Sequence, residues 1–230
     1  MGAADKIPIV LLPGMDGSGA LLTGLVDCLA SSRPVLVISF PNDKPLTYDG
    51  LTACVLERLP GSRFVLLGES FSGPIAIEVA ASQQRVAGLV LAASFARHPM
   101  PALFAPLTRI LDLRWVPTRL VEAALLGSAE RSDLKETLRR VLATLPAKVI
   151  RTRASEVLRI DKRDRLRAVS CPILCLHARF DRLVSKKCLD EIKFLRPHCE
   201  VRTLNAPHML LETHPVEAAS IIDVFCEQFA

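Results

Sequence analysis

The chain has 230 residues, of which 50% are apolar and 23% charged, and a formal net charge of +5 at pH 7. These values are typical of a soluble globular protein with one substantial core, and they leave little room for two full domains. No apolar run reaches the roughly 18 residues that a membrane span needs, and the first residues lack the pattern of a secretory signal. We therefore expect a cytoplasmic protein without stable membrane insertion.

Short apolar runs alternate with helical stretches along most of the chain. The runs that are almost continuously apolar, as in strands buried on both faces of a parallel sheet, are Ile7–Leu12, Val35–Phe40, Phe64–Leu67, Val86–Ala92 and Ile173–His177. Glu200–Leu204 alternates polar and apolar residues, which predicts an edge strand. The helices predicted beside these strands are Ala20–Ala30, Leu51–Leu59, Pro74–Gln83, Lys186–Leu195 and Pro215–Phe229. This alternation predicts a three-layer α/β fold with a mostly parallel sheet of about six strands.

Residues 95–168 break the alternation, because they contain no convincing strand and are punctuated by prolines. The helices predicted there are Phe104–Leu113, Thr118–Leu126, Leu134–Leu145 and Lys148–Leu158. We interpret 95–168 as a helical cap insertion over the C-terminal edge of the sheet, with 1–94 and 169–230 as the core. Residues that could line an acyl pocket, or could equally pack between cap helices, are Leu103, Phe104, Leu107, Trp115 and Leu125.

The same segment carries most of the positive charge, with 16 lysines and arginines against 8 acidic residues. An anionic partner and a solvated helical face both agree with this balance. Nucleic acid is not favoured, because the chain has one Trp and one Tyr and does not interleave basic with aromatic residues. A metal site at Cys171 and Cys175 is not favoured either, because a second ligand pair is missing.

A candidate nucleophile lies where a predicted strand turns into a helix, in the segment Gly68-Glu69-Ser70-Phe71-Ser72-Gly73. An exposed serine on such a turn needs small residues two positions before and after it, because the backbone doubles back there. Ser70 has Gly68 and Ser72 at those positions. Ser72 would have Ser70 and Pro74, and the proline fits a first helical turn better. We therefore predict Ser70 as the nucleophile and Ser72 as a small residue that lets the turn close.

A nucleophilic serine needs a base and an orienting carboxylate. Among the five histidines, His208 is favoured because it follows the C-terminal end of a strand, where α/β sites assemble. Asp181 also follows a strand and precedes a helix, although an aspartate there could simply bond nearby backbone. The order Ser70, Asp181, His208 is the one that a serine elbow on an α/β sheet requires.

The glycine-rich loop Pro13-Gly14-Met15-Asp16-Gly17-Ser18-Gly19 follows the first predicted strand. Its backbone can supply one N–H group to a developing oxyanion, and the residue after the nucleophile supplies another. We predict the N–H groups of Met15 and Phe71 as the oxyanion hole. The loop lacks the Lys-Ser/Thr ending of a phosphate loop and the spacing of a dinucleotide fingerprint, so a nucleotide cofactor is not favoured.

Together these loops, in this order, resemble the α/β-hydrolase superfamily over essentially the whole chain. The chain is most similar to its small capped carboxylesterases, a group that includes esterases acting on a carrier-bound pimeloyl methyl ester. The resemblance implies a carboxylic ester hydrolase that forms an acyl-enzyme on Ser70 and needs no cofactor or metal. Two readings remain as alternatives: a thioesterase or ester hydrolase for acyl groups on an anionic carrier, and a non-catalytic protein that binds a small ligand.

Two departures accompany the resemblance. The family usually has His-Gly where this chain has Pro13-Gly14, which should leave the backbone donors intact because the following N–H donates. The chain also starts at what would be the third strand of the family, so we expect six strands rather than eight.

Overall fold

The computed structural model of the protein describes residues 6–99, 117–128 and 131–229. The predicted helix Phe104–Leu113 lies outside these residues, and so do Leu103, Phe104, Leu107 and Trp115. Within the described ranges, no helix is long and apolar enough to cross a membrane.

One six-stranded sheet organises the molecule, with every neighbouring pair parallel, which confirms the predicted fold class. Its strands are β1 Ile9–Leu12, β2 Val35–Val37, β3 Phe64–Glu69, β4 Val86–Ala92, β5 Ile173–Ala178 and β6 Glu200–Leu204. Their order across the sheet is β2-β1-β3-β4-β5-β6. Since all strands run the same way, the loops after β1, β3, β5 and β6 leave the sheet at one edge.

Of the two edge strands of the sheet, the sequence predicts one correctly and the other incorrectly. Glu200–Leu204 is an edge strand, as its alternating pattern predicts. The prediction that Val35–Phe40 is a strand buried on both faces is wrong: β2 ends at Val37, forms the other edge, and leaves Leu36 40% exposed. Beyond it the chain turns away, and the Phe40 N–H donates to the Gly17 carbonyl in the glycine-rich loop. The apolar residues after β2, Ile38 and Phe40, are buried in the core layer that also holds Val10 and Leu12.

The helices described near the sheet agree closely with the predicted ones, except that the short helix α9 has no predicted counterpart. They are α1 Thr23–Ala30, α2 Tyr48–Leu56, α3 Gly73–Ser82, α8 Lys186–Leu195, α9 Leu210–Thr213 and α10 Pro215–Cys226. Helix α2 begins three residues before the predicted Leu51 because the Thr47 hydroxyl accepts the Gly50 N–H and caps the helix there. Short 3₁₀ turns account for the remaining ends, at Ala20–Leu22 before α1 and Glu227–Phe229 after α10.

Alternate residues of the central strands face two separate layers of apolar side chains. Val10 and Leu12 of β1 pack with α2, α3 and α8, whereas Ile9 and Leu11 pack with α1 and α10. Both faces of β1, β3 and β4 are therefore buried, which is why their sequences read as continuous apolar runs.

The described part of the segment 95–168 contains four helices: α4 Thr118–Leu126, α5 Ser132–Thr144, α6 Ala147–Val157 and α7 Arg163–Ala168. Leu126 of α4 and Leu134 and Leu138 of α5 pack on Leu21, which follows the glycine-rich loop, and on Met209, which follows β6. Helices α4 and α5 thus lie against loops from the C-terminal edge of the sheet. Leu166 of α7 packs instead in the core layer of α2 and α3.

Candidate active site

Ser70 lies at the sharp turn between β3 and α3, as the sequence predicts. The turn is a 3₁₀ segment, Ser70–Ser72, and Ser70 has a left-handed backbone conformation with φ of 46°. Such a conformation costs about 1 kcal/mol or more in a residue other than glycine, and it recurs at functional sites. Its carbonyl is held by the Ser94 hydroxyl, which donates to it across 2.7 Å. Ser70 therefore sits on a backbone that its surroundings keep strained.

Ser72 behaves as the residue that closes this turn. Its side chain is fully buried and donates to the Leu12 carbonyl at 2.8 Å, while it accepts the Glu69 N–H at 2.8 Å. Ser72 thus ties the end of β3 to the end of β1, and its hydroxyl is committed to backbone groups.

His208 joins the two other predicted residues. It lies in the loop between β6 and α9, and its Nε2 is 2.8 Å from the Ser70 hydroxyl oxygen. Its Nδ1 is 2.8 Å from Oδ2 of Asp181. The histidine is 5% exposed, so the imidazole has little contact with water. The fold thus brings Ser70, His208 and Asp181 into one hydrogen-bonded chain.

Asp181 uses both of its carboxylate oxygens. Oδ2 faces His208, whereas Oδ1 accepts the N–H groups of Leu183 and Val184, each at 2.8 Å. Its side chain is only 2% exposed. One oxygen of Asp181 thus contacts the histidine, and the other bonds nearby backbone.

The glycine-rich loop lies beside the turn at Ser70 because β1 pairs with β3, with Leu12 opposite Gly68. The Gly14 N–H donates to the Glu69 carboxylate at 3.1 Å, and the Gly17 N–H donates to the Gly14 carbonyl. Met15, at the tip of this loop, is half-buried. Met15 and Phe71 therefore flank Ser70 from the ends of β1 and β3.

Two buried carboxyl groups support the site and escaped the sequence analysis. Glu69, at the end of β3, and Glu212, on α9, lie against each other, and both are almost completely buried. Burial raises the pKa of both groups, most strongly that of Glu212, which also faces the charge of Glu69. These shifts favour the protonated form of Glu212, and the Glu69 carboxylate accepts the Gly14 N–H.

A second unpredicted element comes from the segment 95–168. Arg153 on α6 is 1% exposed and donates to the carbonyls of Met15, Asp16 and Pro41. The sequence offered no signal for it, since it is one of 16 basic residues in that segment. The remaining histidines lie elsewhere, at positions 98, 177, 198 and 214. In the part of the chain that the structure describes, no three His, Cys, Asp or Glu side chains cluster as a metal site would.

The chain belongs to the alpha/beta hydrolase family, which matches residues 9–221. One relative is the pimeloyl-[acyl-carrier protein] methyl ester esterase of Aeromonas hydrophila subsp. hydrophila, with 28% identity over 240 residues covering 94% of each chain. Among solved structures, the enol-lactonase from Burkholderia xenovorans LB400 has a TM-score of 0.84 at 18% identity, over 96% of this chain and 92% of that one. A thermophilic esterase from Thermogutta terrifontis has a TM-score of 0.85 at 19% identity, over 98% and 91%. At these identities the two structures establish the shared fold.

Proposed function

We propose that the protein is a serine esterase that hydrolyses carboxylic esters through an acyl-enzyme on Ser70. The observation that carries the proposal is the hydrogen-bonded chain from Ser70 through His208 to Asp181, with both contacts at 2.8 Å. The strained backbone of Ser70 adds support, because such strain persists where function needs it.

The acylation step follows from this geometry. The Ser70 oxygen attacks the carbonyl carbon of the ester while its proton moves to His208 Nε2. Asp181 holds the imidazole in the tautomer with a proton on Nδ1 and stabilises the imidazolium that forms. The N–H groups of Met15 and Phe71 stabilise the negative charge on the carbonyl oxygen. The intermediate then expels the alcohol, which takes the proton from Nε2, and the acyl group stays on Ser70.

Deacylation repeats these steps with water as the nucleophile. Water attacks the acyl carbon and gives its proton to His208, and the second intermediate collapses as Ser70 recovers that proton and the carboxylic acid leaves. No group beyond these side chains, the two N–H groups and water takes part in the proposed cycle.

We further propose that the segment 95–168 is a cap over this site. Its helices α4 and α5 pack on Leu21 and Met209, and the Met209 N–H donates to the Leu125 carbonyl at 3.0 Å. The cap thereby adjoins the loop that carries His208. Apolar side chains such as that of Leu125, partly buried beside this cluster, suit the acyl part of a substrate.

A second candidate is an ester or thioester hydrolase for acyl groups on an anionic carrier. The excess of 8 positive charges in 95–168 favours it, and the Aeromonas relative is named for a carrier-bound ester. Turnover of a free short-chain ester and of the same acyl group on a carrier protein should be compared across salt concentrations. Steering by charge should weaken for the carrier substrate as ionic strength rises, and a flat response would remove this candidate.

The primary test labels the nucleophile. A fluorophosphonate probe should modify Ser70 in the wild type, and Ser70→Ala should abolish both labelling and hydrolysis of a p-nitrophenyl ester. Ser72→Ala is the matched control: it should remain labelled at Ser70 and lose stability, because the Leu12 carbonyl and the Glu69 N–H lose their partner. Survival of hydrolysis in Ser70→Ala would refute Ser70 as the nucleophile. A wild type that is not labelled and does not hydrolyse the ester would favour the non-catalytic binding protein.

A further inference from the structure

Arg153 is a buried cation whose hydrogen bonds in the described part of the chain all go to the protein backbone. Its Nη1 donates to the carbonyls of Met15 at 2.9 Å and Asp16 at 3.1 Å, and its Nη2 donates to Pro41 at 3.0 Å. The side chain is 1% exposed, and among the described residues its hydrogen bonds all end on carbonyls rather than on a carboxylate. Burial of a charge is costly, and an apolar side chain of similar size would fill the space more cheaply. A use for the guanidinium is therefore expected.

The glycine-rich loop is shaped around this guanidinium. A Cβ on Gly17 would lie 2.7 Å from Arg153 Nη1, and Gly17 has a φ of +72°, which few other residues adopt. On its other side the guanidinium lies over the Phe40 ring, 5.8 Å from the ring centroid. The contacts surround Arg153 from several directions, so its position and that of the Met15 carbonyl are fixed together.

Helix α6 is also connected, through Tyr48, to Phe71, whose N–H group is the second proposed oxyanion donor. Glu156 accepts the Tyr48 N–H at 2.9 Å, and the Tyr48 hydroxyl donates to the Phe71 carbonyl at 2.9 Å. The Tyr48 ring also stacks on the Phe71 ring, with centroids 4.7 Å apart and planes 19° from parallel. Phe71 is thereby held both by its carbonyl and by its side chain.

Arg153 and Glu156 are three residues apart on α6, so they project from one face of the helix. The carbonyl and the N–H of a residue belong to adjoining rigid peptide planes that meet at one Cα, so fixing the carbonyl limits the directions open to the N–H. We propose that Arg153 is a positioning residue that orients the Met15 N–H group of the oxyanion hole. Glu156, acting through Tyr48, orients the Phe71 N–H group in the same way. The proposal rests on the esterase function above and adds that α6 contributes to the chemical step.

Loss of such a positioning residue should lower kcat and leave KM almost unchanged. Donors that point away from the developing oxyanion weaken transition-state binding, whereas the ground-state ester barely uses them. Displacement of one donor should therefore lower kcat by about 100-fold, the size expected for loss of an oxyanion-hole group, with KM changed by less than about threefold.

The experiment compares Arg153→Met, Arg153→Lys and Tyr48→Phe with the control Arg33→Met. Arg33 is also 1% exposed, but it pairs with Asp223 and donates to the Ile7 carbonyl, at the other end of β1 from Met15. It therefore reports what the loss of a buried arginine does to stability alone. For each variant, kcat and KM for a p-nitrophenyl ester, the rate of Ser70 labelling by a fluorophosphonate, and the thermal midpoint are measured.

Arg153→Met should lower kcat and the labelling rate by about 100-fold, and Arg153→Lys should recover about tenfold of this, because the ammonium can still reach a carbonyl. Tyr48→Phe keeps the stacked ring and loses one hydroxyl, so it should fold and lose about tenfold in kcat. Arg33→Met should keep the kcat of its folded fraction. If Arg153→Met does not fold, folded Arg153→Lys decides the role of Arg153, since a kcat near wild type there would refute it, while Tyr48→Phe tests the contact to Phe71.

Near wild-type kcat and labelling in folded Arg153→Met and Tyr48→Phe would overturn the proposal while leaving the esterase function standing. A loss confined to KM would overturn it as well. Failure of the wild type to hydrolyse the ester or to be labelled at Ser70 would instead refute the esterase function on which the proposal rests.

Discussion

Replacement of Asp181 by asparagine separates the two uses of this side chain. Asp181 Oδ1 accepts the N–H groups of Leu183 and Val184, so the amide oxygen of the asparagine is fixed toward these donors. Its NH₂ group must then face His208 Nδ1, where Oδ2 stood. An amide donor at this point requires Nδ1 to accept, which moves the imidazole proton to Nε2. In that tautomer His208 can no longer take the Ser70 proton.

The expected loss for Asp181→Asn is about 10⁴-fold in kcat, which corresponds to about 5.4 kcal/mol of transition-state stabilisation. The fold should survive, because both backbone contacts are kept, so the thermal midpoint should stay within a few degrees of wild type. Steady-state hydrolysis of a p-nitrophenyl ester and a thermal melt measure the two quantities.

Asp181→Ala is the matched variant, since it removes both functions. Val184 is buried, so its N–H would lose its acceptor at a cost of about 1–3 kcal/mol, while Leu183 is 42% exposed and water can replace the contact. For a chain of this length that cost lowers the midpoint by roughly 2–12 °C. If Asp181→Asn kept more than about a tenth of the wild-type kcat, the orienting role of Asp181 would be refuted.

Two further predictions concern stability. A Cβ on Gly73 would lie 1.7 Å from Ser94 Oγ and 2.7 Å from Ser94 Cβ. Gly73→Ala should therefore lower the free energy of unfolding, measured with urea, by about 1–3 kcal/mol or more. It should also reduce kcat, because Ser94 holds the Ser70 carbonyl. Gly61→Ala, where a Cβ meets nothing within 4 Å, should be near neutral, and equal losses in both variants would contradict this packing argument. Glu212 has a pKa raised above 4.5 by burial, so the folded chain binds its proton more tightly than the unfolded chain, and stability should fall as pH rises from 4.5 through that raised pKa. Glu212→Gln removes this titration. The difference in unfolding free energy between Glu212→Gln and the wild type should therefore shift in favour of the variant between about pH 5 and pH 8. Plots of unfolding free energy against pH that run parallel for the two proteins over that range would show that Glu212 does not hold the proton.

The sequence predicts best those features that are local or that follow from the direction of the chain. The turn at Ser70 can be predicted because small residues flank it. Asp181 and His208 can be predicted because each follows a strand. Parallel strands bring such loops to one edge, so contact between Ser70 and His208, 138 residues apart, is expected without knowledge of the packing.

Arg153 is just as far from Met15 in the sequence, also 138 residues, and it could not be predicted. No rule places an insertion helix on a particular loop, and its position depends on which side chains fit together. The buried pair of Glu69 and Glu212 has the same origin, since these two carboxyl groups meet only through tertiary contacts. The end of β2 at Val37 is a milder case, because Ile38 and Phe40 are buried in the core without being part of the strand.

The order of strands and helices, the parallel sheet and the three side chains expected at its edge were thus determined by the sequence, through periodicity, turn chemistry and chain direction. The tertiary structure alone decided which cation of a highly basic segment enters the core and which two carboxyl groups are buried together. The physical reason is that these outcomes depend on desolvation and close packing between distant parts of the chain, which leave no periodic trace in the sequence.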